Sequence, residues 1–260
     1  MSPWELLTQI QTAYQAILGS KLTGIYVHGS LAFGCFCWEQ SDIDFLVVVE
    51  NALTQAEKEA LIRTLLALDS CAPSKGFEMS VLLRSACSPF KDPTPYELHY
   101  SNAHRANYQR DLSATCRALQ GFDPDLAAHI TVINAVGLTL CGQPVDKVFS
   151  PVPKESYLRS LWYDIENAPV EIGQNPVYYI LNLCRVMAYA CDGLVCSKAD
   201  GGVWGIRHLP EHAALIAKAL AAYRSGDSLP SCNELRFFAE EALERIAQNS
   251  VFLSACFKKD

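Results

Sequence analysis

The sequence has no long apolar run and little basic charge. No stretch approaches the roughly 18 consecutive apolar residues that a membrane-spanning helix requires, so we expect no membrane partner. Lysine and arginine total 21 against 28 aspartates and glutamates, which gives a formal net charge of −7. Because nucleic-acid affinity depends on neutralising phosphates, this balance argues against a DNA or RNA partner. The negative net charge would attract a cationic small molecule, although an acidic surface can also simply keep a protein soluble.

From the first residues we expect no secretory leader, and from the cysteines we expect no regular disulfide framework. Residues 1–5 have neither a basic start nor an apolar stretch. The 11 cysteines are odd in number and scattered in spacing, which argues against a closed disulfide framework. We therefore expect a protein of the reducing cytoplasm, and we expect a monomer.

Helical and strand patterns alternate over the first hundred residues. Ser2 and Glu5 form a capping box before an apolar helical pattern, and Thr54 and Glu57 begin a second helix in the same way. The proline-rich residues 88–100 predict a surface loop. Runs rich in β-forming residues predict strands at 24–28, 42–49 and 77–83, and residues 29–39 predict a turn or short helix.

The strand pattern disappears after about residue 123, and helical patterns take its place. We predict an α/β N-terminal domain of residues 1–120, with helices packed on a mixed sheet. An all-α helical-bundle domain of residues 121–260 follows. Its predicted helices are 126–141, 156–168, 176–192, 211–225 and 232–255, with Ser231 and Glu234 capping the last.

A candidate phosphate-binding turn, Gly29-Ser30, follows the first predicted strand. Glycine lets a phosphate approach the backbone, while the serine hydroxyl and exposed backbone N–H groups supply donors. Gly34 permits a second tight turn soon afterwards. A Gly-Ser pair alone is a weak motif, and its weight comes from its position between two strands.

Asp42 and Asp44 begin the second predicted strand. Because they are two residues apart, their side chains point to the same face. Two carboxylates about 4 Å apart repel by about 4 kcal/mol at an effective dielectric constant near 20, so either one is protonated or a divalent cation binds. Magnesium prefers carboxylate oxygens together with substrate phosphates. We predict a Mg²⁺ site at these two aspartates, beside the Gly29-Ser30 turn.

Glu78 is the third acidic candidate, at the start of the apolar strand 77–83. If this strand lies beside the strand of Asp42, the Glu78 carboxylate can face the metal site. It could then ligate the metal or act as general base for an attacking hydroxyl. The alternative is an exposed residue at a sheet edge.

These motifs resemble the nucleotidyltransferase superfamily of DNA polymerase beta, in which Gly-Ser and a glycine-containing spacer precede Asp-x-Asp. Within it, the chain is similar to the aminoglycoside adenylyltransferases that modify streptomycin and spectinomycin, over nearly its whole length. That family transfers AMP from ATP to a hydroxyl of the antibiotic. The second half of the chain carries the similarity at residues 149–153, 181–185, Lys198, Trp204 and Leu209-Pro210.

The resemblance implies Mg²⁺ as cofactor and ATP as co-substrate. Asp42, Asp44 and Glu78 would be catalytic residues and metal ligands, with Glu78 in the position of the family's base. The residues implied in nucleotide binding are Gly29, Ser30, Ser41, Arg185, Lys198 and Tyr223. Since these come from both predicted domains, we expect the second domain to complete the nucleotide and acceptor site. Simpler interpretations are an inter-helix ion pair for Arg185, a loop lysine for Lys198, and a helix-face aromatic for Tyr223.

The chain departs from the family pattern on the acceptor side. Where relatives carry a tryptophan associated with streptomycin binding, this chain has Ala103, and an aspartate associated with the same drug aligns with Asn175. His99 and His104 fall in the altered stretch, either lining the acceptor pocket or exposed in a loop. We therefore expect a small cationic hydroxyl acceptor such as spectinomycin, with streptomycin a poor substrate.

Two other functions remain open from the sequence. A regulatory module on the same fold would sense nucleotide without consuming it, although it would not need all three carboxylates. A nucleotidyltransferase acting on a protein or another non-antibiotic acceptor would share the same motifs. Magnesium-dependent release of pyrophosphate separates the first alternative from an enzyme.

Overall fold

The computed structural model describes residues 1–230 and 233–249. Its contacts divide the chain into a first unit, Met1–Pro151, and a second unit that begins at Val152. Residues 121–151 therefore lie with the first unit, whereas the sequence placed the boundary after residue 120. Among the described residues, no helix has both the length and the apolar character needed to cross a membrane.

The first unit contains strands and helices in alternation. Its strands are β1 (Leu22–Val27), β2 (Ile43–Val49), β3 (Phe77–Leu83), β4 (Thr94–Tyr96), β5 (Leu98–Tyr100), β6 (Gly121–Asp123) and β7 (Leu138–Gly142). Its helices are α1 (Pro3–Leu18), α2 (Gly29–Ala32), α3 (Gln55–Leu68), α4 (Arg84–Cys87), α5 (Arg105–Arg110), α6 (Leu112–Ala118), α7 (Leu126–Val136) and α8 (Val145–Val148). The capping boxes predicted for α1 and α3 are both confirmed.

A five-stranded mixed sheet in the order β5-β3-β2-β1-β7 forms the centre of this unit. β2 and β3 are parallel, and the other neighbouring pairs are antiparallel. Strands β4 and β6 form a separate two-stranded sheet. The mixed sheet confirms the predicted fold class.

The two faces of β2 have different surroundings because side chains alternate along a strand. Ile43, Phe45 and Val47 belong to the main apolar core, together with residues of α1 such as Ile10 and Tyr14. Burying such side chains stabilises the unit by about 1.5–3 kcal/mol for each large apolar residue. The residues between them, beginning with Asp44, lie on the opposite face, where the candidate site is built.

Two segment predictions are wrong. The predicted helix 126–141 ends at Val136, and residues 138–142 instead form β7 at the sheet edge, so strands do not cease after residue 123. Residues 88–100 are not a continuous loop, since they contain β4 and β5, and β5 pairs with β3. Short apolar runs fit a helix or a strand equally well, and pairing with a distant strand decides between them.

Helices are the regular elements among the described residues of the second unit, as the sequence predicts. Its helices are α9 (Lys154–Ile165), α10 (Ala168–Glu171), α11 (Pro176–Asp192), α12 (Lys198–His208), α13 (Ala213–Ser225) and α14 (Asn233–Gln248). The buried helix α11 contacts α9, α12, α13 and α14. The predicted cap Ser231 and the predicted helix end at residue 255 lie outside the described residues.

Candidate active site

Three carboxylates meet on the face of the mixed sheet that lies opposite the main apolar core. One carboxylate oxygen from each of Asp42, Asp44 and Glu78 lies within 4.8 Å of the other two. Asp44 is buried, whereas Asp42 and Glu78 are partly exposed. The structure thus brings together the three acidic residues that the sequence singled out.

The register of β2 and β3 explains this meeting. The strands run parallel, with Asp44 directly beside Glu78. Asp42 precedes β2 by one residue and shares the face of Asp44, because the two are separated by two positions. Had the strands been displaced by one residue, Glu78 would face the apolar core.

The donor set fits a hard divalent cation. At separations of 4–5 Å and an effective dielectric constant near 20, each pair of carboxylates repels by about 3–4 kcal/mol. All three donors are carboxylate oxygens, the ligand type that Mg²⁺ prefers. Partial exposure of Asp42 and Glu78 leaves an approach for substrate phosphates on the same side.

The Gly29-Ser30 turn lies against this cluster. Gly29 has a φ of +58°, and a Cβ atom there would lie 1.8 Å from Oδ2 of Asp44. Only glycine therefore allows the backbone to pass beside the Asp44 carboxylate. The Ser30 hydroxyl is buried and has no hydrogen-bond partner among the described residues. An unsatisfied buried hydroxyl beside a glycine turn suits a ligand oxygen.

Ser41 holds the loop that leads into β2. Its side chain is buried, and its hydroxyl accepts a hydrogen bond of 3.1 Å from the backbone N–H of Cys37. The Ser41 N–H in turn donates to the Cys37 carbonyl at 2.8 Å. These bonds give Ser41 a structural role in placing Asp42, in addition to the nucleotide contact that the sequence implied.

Two histidines that the sequence did not single out border the carboxylates. Nε2 of His129 lies 3.8 Å from Oε1 of Glu78. The rings of His129 and His28 are 4.6 Å apart. Burial, and secondarily the neighbouring His129, lower the pKa of His28 well below its ordinary value, so that ring is neutral near pH 7. No sequence spacing marks the pair, because His28 follows β1 and His129 lies on α7.

In the second unit, a polar cluster surrounds Asp164 of α9. The Asp164 carboxylate accepts hydrogen bonds from Tyr178 and Asn182, and it lies 3.4 Å from the Arg185 guanidinium. The ammonium group of Lys198 lies 4.4 Å from the centre of the Tyr178 ring. The inter-helix ion pair considered for Arg185 therefore exists, and the structure groups Arg185 and Lys198 around one tyrosine–aspartate pair.

Lys198 lies at the start of a helix and not in a loop. The sequence did not predict α12, whose residues include Gly201, Gly202 and Gly205. These glycines serve close packing: a Cβ on Gly201 would lie 2.7 Å from the backbone of Arg185. Contact with α11 thus outweighs the low helix propensity of glycine. Tyr223 lies partly buried on α13.

The altered acceptor residues fall in both units. Ala103 is exposed in a short turn, and Asn175 is exposed immediately before α11. His99 is a strand residue of β5 and not a loop histidine, and its Nδ1 lies 2.9 Å from the hydroxyl of Ser80. Burial lowers the pKa of His99 to about 4. The ring of His104 packs 5.6 Å from that of His99.

Comparison with known proteins agrees with this architecture. Residues 147–248 match the family model described as aminoglycoside adenylyltransferase, C-terminal domain. A spectinomycin 9-adenylyltransferase from Staphylococcus aureus is 27% identical over 216 residues, or 80% of each chain. An aminoglycoside (3'')(9) adenylyltransferase from Klebsiella pneumoniae is 25% identical over 225 residues, or 84% of each chain.

A solved structure shares the fold. The crystal structure of a spectinomycin adenyltransferase from Enterococcus faecalis, with ATP and spectinomycin, superposes with a TM-score of 0.79 at 20% identity. The match covers 94% of this chain and 99% of the other. A mixed sheet that carries three carboxylates beside a Gly-Ser turn is the arrangement expected from the sequence resemblance to the nucleotidyltransferases. The chain is similar to the aminoglycoside adenylyltransferases, and its residues 147–248 match the C-terminal domain of that family.

Proposed function

We propose that the protein transfers AMP from ATP to a hydroxyl of an aminoglycoside-type antibiotic, with spectinomycin the first acceptor to test. The observation that carries this proposal is the meeting of Asp42, Asp44 and Glu78 beside the Gly29-Ser30 turn. The named functions of the relatives supply the chemistry that such a site would perform. Because ATP is the co-substrate, we place the reaction in the cytoplasm.

Asp42 and Asp44, with Glu78 beside them, would hold Mg²⁺. When bound, the ion neutralises phosphate charge and polarises the reacting phosphate. The protein contributes a fixed spacing of oxygen donors, set by the β2–β3 register. A bound cation would offset the repulsion between the three carboxylates.

Glu78 would act as the general base of the reaction. Its carboxylate takes the proton of the acceptor hydroxyl while the hydroxyl oxygen attacks the α-phosphorus of ATP. A new phosphorus–oxygen bond forms as the bond from the α-phosphorus to the pyrophosphate oxygen breaks, and pyrophosphate leaves. In this assignment, Asp42 and Asp44 are the principal metal ligands.

The nucleotide would be bound by residues with different chemistry. Gly29 and Ser30 suit phosphate oxygens, because the turn offers a close backbone and an unsatisfied hydroxyl. Arg185 and Lys198 supply positive charge, and Ser41 and Tyr223 complete the set by similarity to the family. For Arg185, the buried Nε atom has no partner among the described residues, which leaves it a donor for a ligand.

The test is an assay with labelled ATP, Mg²⁺ and a panel of hydroxyl compounds that includes spectinomycin. We expect acceptor-dependent release of pyrophosphate and a product that carries one AMP. Nucleotide binding without turnover on any compound would instead favour a sensing module. Turnover on a protein in place of any small molecule would contradict the antibiotic assignment while retaining the nucleotidyltransferase.

A further inference from the structure

We infer that His129 is a positioning residue for the Glu78 carboxylate, an inference that rests on the transfer reaction proposed above. Nε2 of His129 lies 3.8 Å from Oε1 of Glu78. This distance exceeds that of a hydrogen bond, and catalytic contacts of this kind often tighten when substrates bind. His129 itself would touch neither ATP nor the acceptor.

The helix α7 holds the imidazole ring of His129 through the apolar residues on the same helix face. His129 lies three residues after Leu126 and four before Ile133, so the three share one helix face. Both apolar residues are buried, and the His129 side chain is 20% exposed. The ring of His28 packs against it at 4.6 Å. Packing on these sides leaves the imidazole few alternative orientations.

The environment of the second ring nitrogen determines where the hydrogen lies. Nδ1 of His129 is buried and has no hydrogen-bond partner among the described residues. A buried N–H without an acceptor is rarer in proteins than an acceptor without a donor. With one hydrogen on the ring, that hydrogen therefore lies on Nε2, the nitrogen that faces Glu78. His129 is thus a donor directed at the carboxylate.

A directed donor matters to Glu78 because its side chain is partly exposed, at 32%. The strand fixes the backbone of Glu78, whereas the orientation of its carboxylate depends on the χ angles and on the groups around it. Donation from His129 selects one orientation of the carboxylate relative to the aspartates. Removing a side chain that hydrogen-bonds to a metal ligand or catalytic carboxylate typically lowers activity by about 10–100-fold.

The test compares three substitutions of His129 in the intact chain. His129→Gln places an amide nitrogen near the Nε2 position, whereas the nitrogen of His129→Asn falls short and His129→Leu has none. With magnesium-ATP and an accepted antibiotic, we expect kcat to fall at least about tenfold for Leu and Asn. We expect Gln to stay within about threefold of wild type, and the KM for ATP to be unchanged in all three. Thermal unfolding checks the fold, and His129→Phe replaces any apolar variant that does not fold.

A second measurement separates positioning from a general structural effect. In a Glu78→Gln background, adding His129→Leu should reduce the residual rate by less than about twofold, because the carboxylate it orients is gone. Equal losses of kcat in His129→Leu and His129→Gln would overturn the inference. So would a raised KM for ATP at constant kcat, or fully additive losses in the double variant with Glu78→Gln. An inactive wild type would overturn the proposed function and this inference together. An active wild type with an unimpaired His129→Leu variant would overturn this inference alone.

Discussion

Asp44 of β2 and Glu78 of β3 are direct neighbours across a parallel strand pair. Each of the strands is otherwise almost wholly apolar, and each places one carboxylate at its second position. Parallel pairing places these two positions side by side, although they are 34 positions apart in the sequence. The site therefore depends on the register of β2 and β3.

The first prediction concerns Asp44. We expect Asp44→Asn to keep the fold and to lower AMP transfer by at least about two orders of magnitude, the scale for losing a main electrostatic stabiliser. The measurement is pyrophosphate release at saturating magnesium-ATP. Asp146→Asn is the matched control, since this exposed aspartate on α8 lies outside the carboxylate cluster. Turnover of folded Asp44→Asn at the wild-type rate would refute the assignment.

The second prediction separates the two roles of Glu78. Glu78→Gln preserves volume and removes the basic oxygen, so we expect transfer to fall by about 10²–10⁴-fold. Calorimetry should show magnesium-ATP binding close to that of wild type. A collapse of ATP affinity would instead identify Glu78 chiefly as a metal ligand, with the base elsewhere.

The third prediction compares two glycines with positive φ. Gly29 (φ +58°) would place a Cβ 1.8 Å from Asp44, whereas Gly19 (φ +51°) has no atom within 4 Å of that position. Backbone strain should cost about 1–2 kcal/mol of unfolding free energy for alanine at either residue, and the clash with Asp44 adds to that cost at Gly29. Only Gly29→Ala displaces a carboxylate, so only this variant should lose AMP transfer. Similar activity losses in both would show that strain alone is responsible.

The fourth prediction is a pH dependence of stability from His99. Burial lowers its pKa to about 4 in the folded protein, below the ordinary value near 6.5, so the unfolded chain binds the proton more readily. Its contribution to stability is therefore intact above about pH 6.5 and is lost as the pH falls toward 4.

Between pH 7 and pH 5, the loss attributable to His99 should be about 1–2 kcal/mol. His99→Asn keeps a hydrogen-bonding partner for Ser80 and removes the titrating ring. Urea unfolding of both proteins at pH 7 and pH 5 measures the difference. A variant with the same pH slope as wild type would show that other groups cause the acid sensitivity.

The fifth prediction concerns acceptor choice. Streptomycin carries guanidinium groups, which gain from a paired carboxylate and an aromatic ring. Asn175 and Ala103 supply neither group. Their absence should weaken the binding free energy of streptomycin by on the order of 2–4 kcal/mol, which is a factor of tens to hundreds in affinity. Spectinomycin should therefore be modified efficiently and streptomycin poorly.

Side-by-side assays of the two drugs measure this preference. Asn175→Asp combined with Ala103→Trp should improve streptomycin modification more than spectinomycin modification. Efficient use of streptomycin by the unaltered protein would show that other residues have replaced these contacts. The acidic residues Asp164 and Glu171 precede Asn175 closely in the sequence and are the first to examine.

Local sequence determined much of this protein. Capping boxes fixed the starts of α1 and α3, and apolar runs fixed β2 and β3, because these features act over a few neighbouring residues. The spacing of Asp42 and Asp44 on one strand ensured that they share a face. The carboxylate pair and the Gly29-Ser30 turn could therefore be identified without a structure.

Tertiary structure decided what depends on distant partners. Residues 138–142 became a strand through pairing with β1, and α12 became a helix because its glycines allow α11 to approach. Glu78 joined the aspartates through the β2–β3 register, and His129 reached Glu78 from a helix about fifty residues further on. Propensities are weak compared with the free energy of packing and pairing, so these features followed from contacts that no local pattern encodes.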